Sequence, residues 1–148
     1  MDTYNMIDFN KKKGFICDMD GVIYHGNRVL PGVAEFIQWL HDEDKEYLFL
    51  TNNSGYTPRE LHQKLERLGL DVSEEHFYTS ALATAAFLRD QAPGCSVFAI
   101  GEAGLLNALY DAGITMNDVN PDYVVVGEGR SYSLDTLTKA TNLVFKGA

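Results

Sequence analysis

Two carboxylates one residue apart, Asp18 and Asp20, follow the apolar run Phe15-Ile16-Cys17 and precede Gly21. Residues two apart on a strand point to the same face, so an Asp-x-Asp leaving a short buried strand aims both carboxylates into one crevice. The crevice at the carboxyl ends of the strands is where open α/β sheets do their chemistry. Two like charges that close coexist when a cation lies between them or one carboxyl is protonated. Either arrangement suits phosphoryl chemistry. One carboxylate attacks phosphorus, a hard divalent metal neutralises the phosphate oxygens, and the second carboxyl passes protons to and from the oxygens that leave and enter. Taken alone, the pair fits an acidic turn capping the next segment equally well.

Neighbouring residues tilt the balance. Gly21 allows a tight turn beside the carboxylates. Val22-Ile23-Tyr24 then reads as one arm of a small hairpin, His25-Gly26-Asn27 as its turn and Arg28-Val29-Leu30 as the return, a flap able to cover the site. Tyr47-Leu48-Phe49-Leu50 is a second buried strand. It ends in Thr51-Asn52-Asn53-Ser54-Gly55, where hydroxyl, amide and backbone N–H groups gather without charge, as a phosphate-holding loop requires.

The elements that must position these residues alternate strand and helix, the signature of a parallel sheet with right-handed crossovers. Val33, Phe36, Ile37 and Leu40 fall at i, i+3, i+4 and i+7, an amphipathic helix ending near Asp42. Thr57-Pro58-Arg59-Glu60 combines an N-cap, a proline at the first helical position and a capping-box Glu. Leu61, Leu65 and Leu68 follow on one face, and Gly69 is the stop. Phe77-Tyr78 is a short strand, and Ser80 is expected to cap a helix running to about Gln91. Pro93-Gly94 breaks the pattern and divides the chain into 1–93 and 94–148. Beyond it, Val97–Ile100 and Tyr123–Val126 read as strands, with helices near Ala103–Ala112 and Leu134–Phe145.

Composition narrows the function classes. Twelve basic against twenty-one acidic residues give a net charge of −9, and acids outnumber bases in both halves, so no basic face for nucleic acid is expected. No apolar run is long enough to span a bilayer, and the polar start Met1-Asp2-Thr3-Tyr4-Asn5 is no secretory signal. Cys17 and Cys95 form no disulfide framework, which points to a reducing, cytoplasmic compartment and to packing roles. Lys11-Lys12-Lys13 reads as a solvated run. His25, His41, His62 and His76 lack metal-ligand spacing and read as surface or turn residues, His25 alone lying near the flap. Gly127-Glu128-Gly129-Arg130 has no nucleotide-loop pattern and reads as a loop at a strand end, with Arg130 as a candidate contact for an anionic substrate.

Asp18-Met19-Asp20-Gly21-Val22, Leu30-Pro31-Gly32, Thr51-Asn52-Asn53-Ser54, Thr57-Pro58, Leu68-Gly69 and Val124-Val125-Val126-Gly127 occur in order along nearly the whole chain. Together they resemble the haloacid dehalogenase superfamily of phosphohydrolases, in its NagD and p-nitrophenylphosphatase branch. The resemblance implies an α/β fold: a Rossmann-like core with nucleophile motif, flap and phosphate loop over 1–93, and the first part of an α/β cap over 94–148. It implies Mg²⁺-dependent hydrolysis of small phosphate monoesters, such as sugar, nucleoside, glycerol or aryl phosphates, through an aspartyl-phosphate. Asp18 would be the nucleophile and a Mg²⁺ ligand. Asp20 would be general acid and then base, its backbone carbonyl also facing the metal, and Thr51, Asn52 and Asn53 would bind the phosphoryl group. The superfamily's transport ATPases have Thr where this chain has Asp20, and Asp there favours rapid hydrolysis.

The same family supplies a later Lys and a later acidic cluster that nothing in this sequence matches. Lys139 and Lys146 lie on a predicted helix, and no Gly-Asp-x-x-x-Thr-Asp run occurs. The chain is therefore expected to be the N-terminal portion of such an enzyme, inactive alone and able to self-associate through uncovered core surface. The competing class is an incomplete fragment that only binds phosphate or metal weakly or serves as an association module. A receiver-type signalling domain is disfavoured, because its phosphoacceptor Asp would end a later strand, where this chain has Thr51.

Overall fold

A computed structural model describes residues 8–148; the expectation about the polar start Met1–Asn5 lies outside the described residues. Strand β1 (Gly14–Asp18) alternates half-buried Phe15 and Cys17 with exposed Ile16 and Asp18. It pairs in parallel with β4 (Glu46–Thr51), which pairs in parallel with β5 (Phe77–Thr79), giving the sheet order β1-β4-β5. Between β1 and β4 come a hairpin of β2 (Tyr24–His25) and β3 (Arg28–Val29) and helix α1 (Val33–Asp42). The hairpin turn is the two residues Gly26-Asn27, tighter than the three expected, with Gly26 at φ 58°. Glycine supplies that positive φ without strain, as two-residue hairpin turns require.

Helices α1 and α2 (Pro58–Arg67) cover one face of this sheet. Ile37 and Leu40 of α1 and Leu61 and Leu65 of α2 share a core with Tyr47, Phe49 and Phe77. The expected capping box starts α2: Thr57 Oγ1 accepts from Glu60 N (3.2 Å) and Glu60 Oε2 accepts from Thr57 N (2.8 Å). His62 and His76, read from the sequence as surface or turn residues, are half-buried. Their Nδ1–H groups donate to the Val72 and Tyr47 carbonyls, and the His76 ring stacks 3.8 Å from that of Tyr47. The opposite sheet face is open: Ile16 is 71% exposed, and Leu50 and Tyr78 also reach solvent. Parallel sheets are ordinarily covered on both faces.

The second unit has its own parallel sheet, order β7-β6-β8, from β6 (Ser96–Ile100), β7 (Thr115–Met116) and β8 (Tyr123–Val126). Helices α3 (Ser80–Gln91), α4 (Ala103–Asp111) and α5 (Leu134–Phe145) accompany it. A second core joins Ala81, Ala85 and Leu88 of α3 to Val97, Leu105, Leu109 and Ile114. The apolar face of α3 thus belongs to this core, so the change of core comes one helix before the Pro93-Gly94 break. The N-cap of α3 is Thr79, whose Oγ1 accepts from Leu82 N (3.2 Å). Ser80, expected in that role, is instead the first helical residue, and its hydroxyl donates to the Asn52 carbonyl (2.8 Å). No helix among the described residues is long and apolar enough to cross a membrane.

Candidate active site

Met19 is completely buried, while Asp18 and Asp20 on either side of it are exposed. The buried methionine acts as a peg. With its side chain in the core, the two flanking carboxylates emerge together at the end of β1. The peg is reinforced by its carbonyl, which accepts the N–H groups of Val22 (3.2 Å), Ile23 (2.9 Å) and Tyr24 (3.3 Å). Gly21 makes the turn at φ 78° and donates its N–H to the Tyr24 carbonyl (2.8 Å). Asp18 Oδ1 accepts from Met19 N (2.8 Å), which orients the carboxylate, and among the described residues Oδ2 has no hydrogen-bond partner. Cys17 faces the first core, where burial pushes its thiol pKa up, so it is a packing group beside the site.

The hairpin brings Tyr24 to Asp20. Tyr24 is 3% exposed, and its hydroxyl pKa is pushed up to about 12, first by burial and then by the Asp20 charge, with Tyr56 and Asp18 adding to it. The Lys64 ammonium of α2 lies 3.7 Å from the centre of the Tyr24 ring, a cation–π contact. Burial lowers the Lys64 pKa and the Asp20 carboxylate opposes that shift, so a cation stands near the expected acid/base. Sequence reading missed Lys64. Its only signal is its place on the buried side of α2, between Leu61 and Leu65.

The β1–β4 register pairs Asp18 with Leu50, which sets Thr51 and the loop after it beside the carboxylates. Thr51 is buried, and its Oγ1 accepts from Asn53 N (3.1 Å), so the hydroxyl hydrogen remains available to donate. Asn52 has an exposed side chain, and its carbonyl is fixed by Ser80. Asn53 is more constrained. Its Oδ1 accepts from Gly55 N (2.8 Å) and Tyr56 N (3.1 Å), and its Nδ2 donates to Glu128 Oε2 (2.7 Å), leaving one amide hydrogen for any ligand.

The second unit closes on this loop. Ser54 Oγ accepts from Glu128 N (2.6 Å), and Gly104 N donates to the Gly55 carbonyl (3.0 Å). A Cβ at Gly104 would lie 2.5 Å from the Tyr56 carbonyl oxygen, so only glycine permits this approach of α4. Arg130 donates from its backbone N to Glu102 Oε1 (3.1 Å) and from Nη2 to the Tyr56 hydroxyl (3.4 Å).

The donor chemistry suits a hard cation. A hard divalent ion such as Mg²⁺ takes one or two carboxylates and completes its shell with other oxygens, and the exposed Asp18 carboxylate with the Asp20 backbone carbonyl would offer the first of these. Among the described residues no group of three or more His, Cys, Asp or Glu gathers at one point, so these residues fit a metal that keeps other ligands.

The family model for haloacid dehalogenase-like hydrolases matches residues 15–115, which include both carboxylates and the Thr51 loop. The chain belongs to that family. It is 46% identical over 136 residues to the ribonucleotide monophosphatase NagD of Escherichia coli strain K12, covering 92% of this chain and 54% of that protein. It is 44% identical over 134 residues to a dihydroxyacetone phosphatase of Corynebacterium glutamicum strain R, covering 90% of this chain and 49% of that protein. The solved structure of NagD from E. coli K-12 superposes with a TM-score of 0.86 at 45% identity, over 93% of this chain and 54% of that one. The chain thus spans about half the length of the curated relatives it matches. Within this haloacid dehalogenase-like fold, the expected nucleophile motif, flap and phosphate loop lie together at one end of the first sheet. Glu128 and Ser80 join them, and neither belongs to a sequence motif that announces it.

Proposed function

We propose that this chain carries the nucleophile half of a phosphatase site for small phosphorylated metabolites, working through an aspartyl-phosphate on Asp18. The observation that carries the reading is the pair of carboxylates set out by buried Met19 beside the uncharged Thr51–Gly55 loop. The relatives' names support the reaction class, since one is a ribonucleotide monophosphatase and the other a dihydroxyacetone phosphatase. Two free thiols, Cys17 and Cys95, support a reducing, cytoplasmic setting.

In this reading the Thr51 hydroxyl and the backbone N–H groups after β4 hold the phosphate oxygens. An Asp18 carboxylate oxygen attacks phosphorus and the bond to the ester oxygen breaks. Asp20, protonated at that moment, gives its proton to the departing oxygen. The resulting Asp20 carboxylate takes a proton from water as that water attacks phosphorus. The phosphorus–Asp18 bond breaks, inorganic phosphate leaves and both carboxyls are restored. Mg²⁺ held by Asp18 and Asp20 would supply charge neutralisation on the phosphate oxygens. Tyr24 and Lys64 frame Asp20 from the flap and from α2.

The division into a core and the first part of an α/β cap belongs to the same proposal, with residues 94–148 reaching over the phosphate loop through Glu128. The Lys and the acidic cluster that the family resemblance adds have no counterpart in this sequence. We place their contribution in additional polypeptide and expect the chain alone to be inactive. The experiment is acid trapping of a labelled phosphoryl group in the completed enzyme. Label on Asp18, absent in Asp18→Asn, supports the assignment; label on any other residue overturns it.

A second reading, an association module, rests on the bare sheet face formed by Ile16, Leu50 and Tyr78. It requires only self-association and is separated from the first by whether phosphate binds at the Thr51 loop.

A further inference from the structure

A cavity of about 330 Å³ lies where the Thr51–Gly55 loop meets the second unit, with Asn53, Tyr56 and Glu60 on one side and Glu102, Glu128 and Arg130 on the other. Three of these side chains are carboxylates and one is a guanidinium. Glu60 is held twice by Thr57, through its N–H and its hydroxyl, and the other three side chains are held by one contact each. Glu60 Oε2 accepts from Thr57 N (2.8 Å), Glu102 Oε1 from Arg130 N (3.1 Å) and Glu128 Oε2 from Asn53 Nδ2 (2.7 Å), while Arg130 Nη2 donates to the Tyr56 hydroxyl (3.4 Å). Among the described residues, Glu102 Oε2 and Glu128 Oε1 have no hydrogen-bond partner, so each remains free to accept.

Resting on the reading that the Thr51 loop holds the phosphoryl group, we propose that this cavity receives the leaving group and selects neutral, hydroxyl-bearing alcohols over alcohols carrying a second anionic group. A lone Arg130 would attract an anion, as the sequence suggests, but here the guanidinium stands among three carboxylates. A second carboxylate or phosphate on the substrate would meet a wall of net negative charge, and like charges brought together across an interface are strongly disfavoured. A hydroxyl both donates and accepts, so it can give its hydrogen to Glu102 Oε2 or Glu128 Oε1 and accept from the remaining Arg130 donors. The Asn53–Glu128 bond places this selection directly beside the phosphate loop.

The test uses the 148-residue chain, ¹⁵N-labelled, and three probes: inorganic phosphate, glycerol 3-phosphate and 3-phosphoglycerate. The last two differ chiefly in a hydroxymethyl against a carboxylate. Inorganic phosphate is expected to move the Asn52 and Asn53 amide resonances alone. Glycerol 3-phosphate should move these and also Glu102, Gly129 and Arg130, and 3-phosphoglycerate should bind at least about tenfold more weakly. Glu102→Gln with Glu128→Gln, which keeps an acceptor oxygen at each position, should narrow that gap to within about threefold. The wild-type comparison decides the matter if the double variant fails to fold. Equal or tighter binding of 3-phosphoglycerate, a gap unchanged in the double variant, or no response at Glu102, Gly129 and Arg130 overturns the inference while leaving the phosphatase reading intact. A Thr51 loop that ignores all three probes overturns both.

Discussion

Asn53 Nδ2 donates to Glu128 Oε2 across 2.7 Å, so a residue of the expected phosphate loop is held by a carboxylate that follows it by 75 positions. With Asn53 Oδ1 already bonded to Gly55 N and Tyr56 N, this bond fixes which way the amide faces. Glu128→Ala removes the acceptor and is expected to cost about 1 kcal/mol. Amide exchange at Gly55 and Tyr56 should quicken with it. Glu128→Gln keeps an acceptor oxygen and should lose less. Urea melts and exchange rates indistinguishable among wild type and both variants would mean that the contact does not order the loop.

Gly104 tests the same junction sterically. Its added Cβ would sit 2.5 Å and 2.6 Å from the Tyr56 and Ser54 carbonyl oxygens, which are backbone atoms that cannot rotate away. Gly104→Ala is expected to destabilise by about 1–3 kcal/mol, the usual range for overpacking, despite its better helix propensity. A thermal melt at or above that of wild type would show that α4 does not pack on the loop this closely.

The bare face of the first sheet predicts association. Ile16 at 71% exposure, with Leu50 and Tyr78, leaves apolar surface on a parallel sheet that ordinarily has helices on both sides. Sedimentation velocity should show concentration-dependent self-association, weakened by Ile16→Lys. A compact monomer at all concentrations, with a cooperative melt, would count against an unpartnered face.

Acid should loosen the second unit. Asp122 Oδ2 accepts from the N–H (2.7 Å) and hydroxyl (2.8 Å) of Ser96, and these bonds hold its pKa below the usual carboxylate value. Asp118 is likewise lowered by the hydrogen bond and charge of Lys139. A pKa lower in the folded than in the unfolded state gives stability that is present above about pH 4 and lost as pH falls through the folded values. The melting temperature should therefore drop below pH 4, and Asp122→Asn should flatten that dependence. An unchanged slope in the variant would assign the acid sensitivity elsewhere.

Much of the placement of the candidate site residues could be read from sequence because its logic is local. The Asp-x-Asp geometry needs only strand alternation with Met19 as the buried middle residue, and the start of α2 is written in Thr57, Pro58 and Glu60. What escaped is non-local or degenerate. Thr79 and Ser80 are adjacent hydroxyls with equal capping chemistry, and only the position of the Asn52 carbonyl assigns Ser80 to the loop. Strand β7 is two residues long and exposed, too short for a pattern. Helix α3 has apolar residues around much of its circumference, with Phe87 62% exposed, so its sequence does not say which core it joins. Glu128 and Lys64 approach the site only through tertiary packing.

Asp18 is proposed as the nucleophile of a phosphatase site that this chain carries only in part. The most direct measurement is Mg²⁺-dependent release of p-nitrophenol from p-nitrophenyl phosphate, by the 148-residue chain alone and with the C-terminal half of a full-length relative supplied in trans. Losing one preorganised charge-stabilising group commonly costs about 10²–10³-fold, so the chain alone is expected to give no measurable turnover. The mixture should be active and lose that activity with Asp18→Asn, and nearly as fully with Asp20→Asn, where proton transfer worth about 10²–10⁴-fold is removed. Turnover that survives Asp18→Asn would contradict the account.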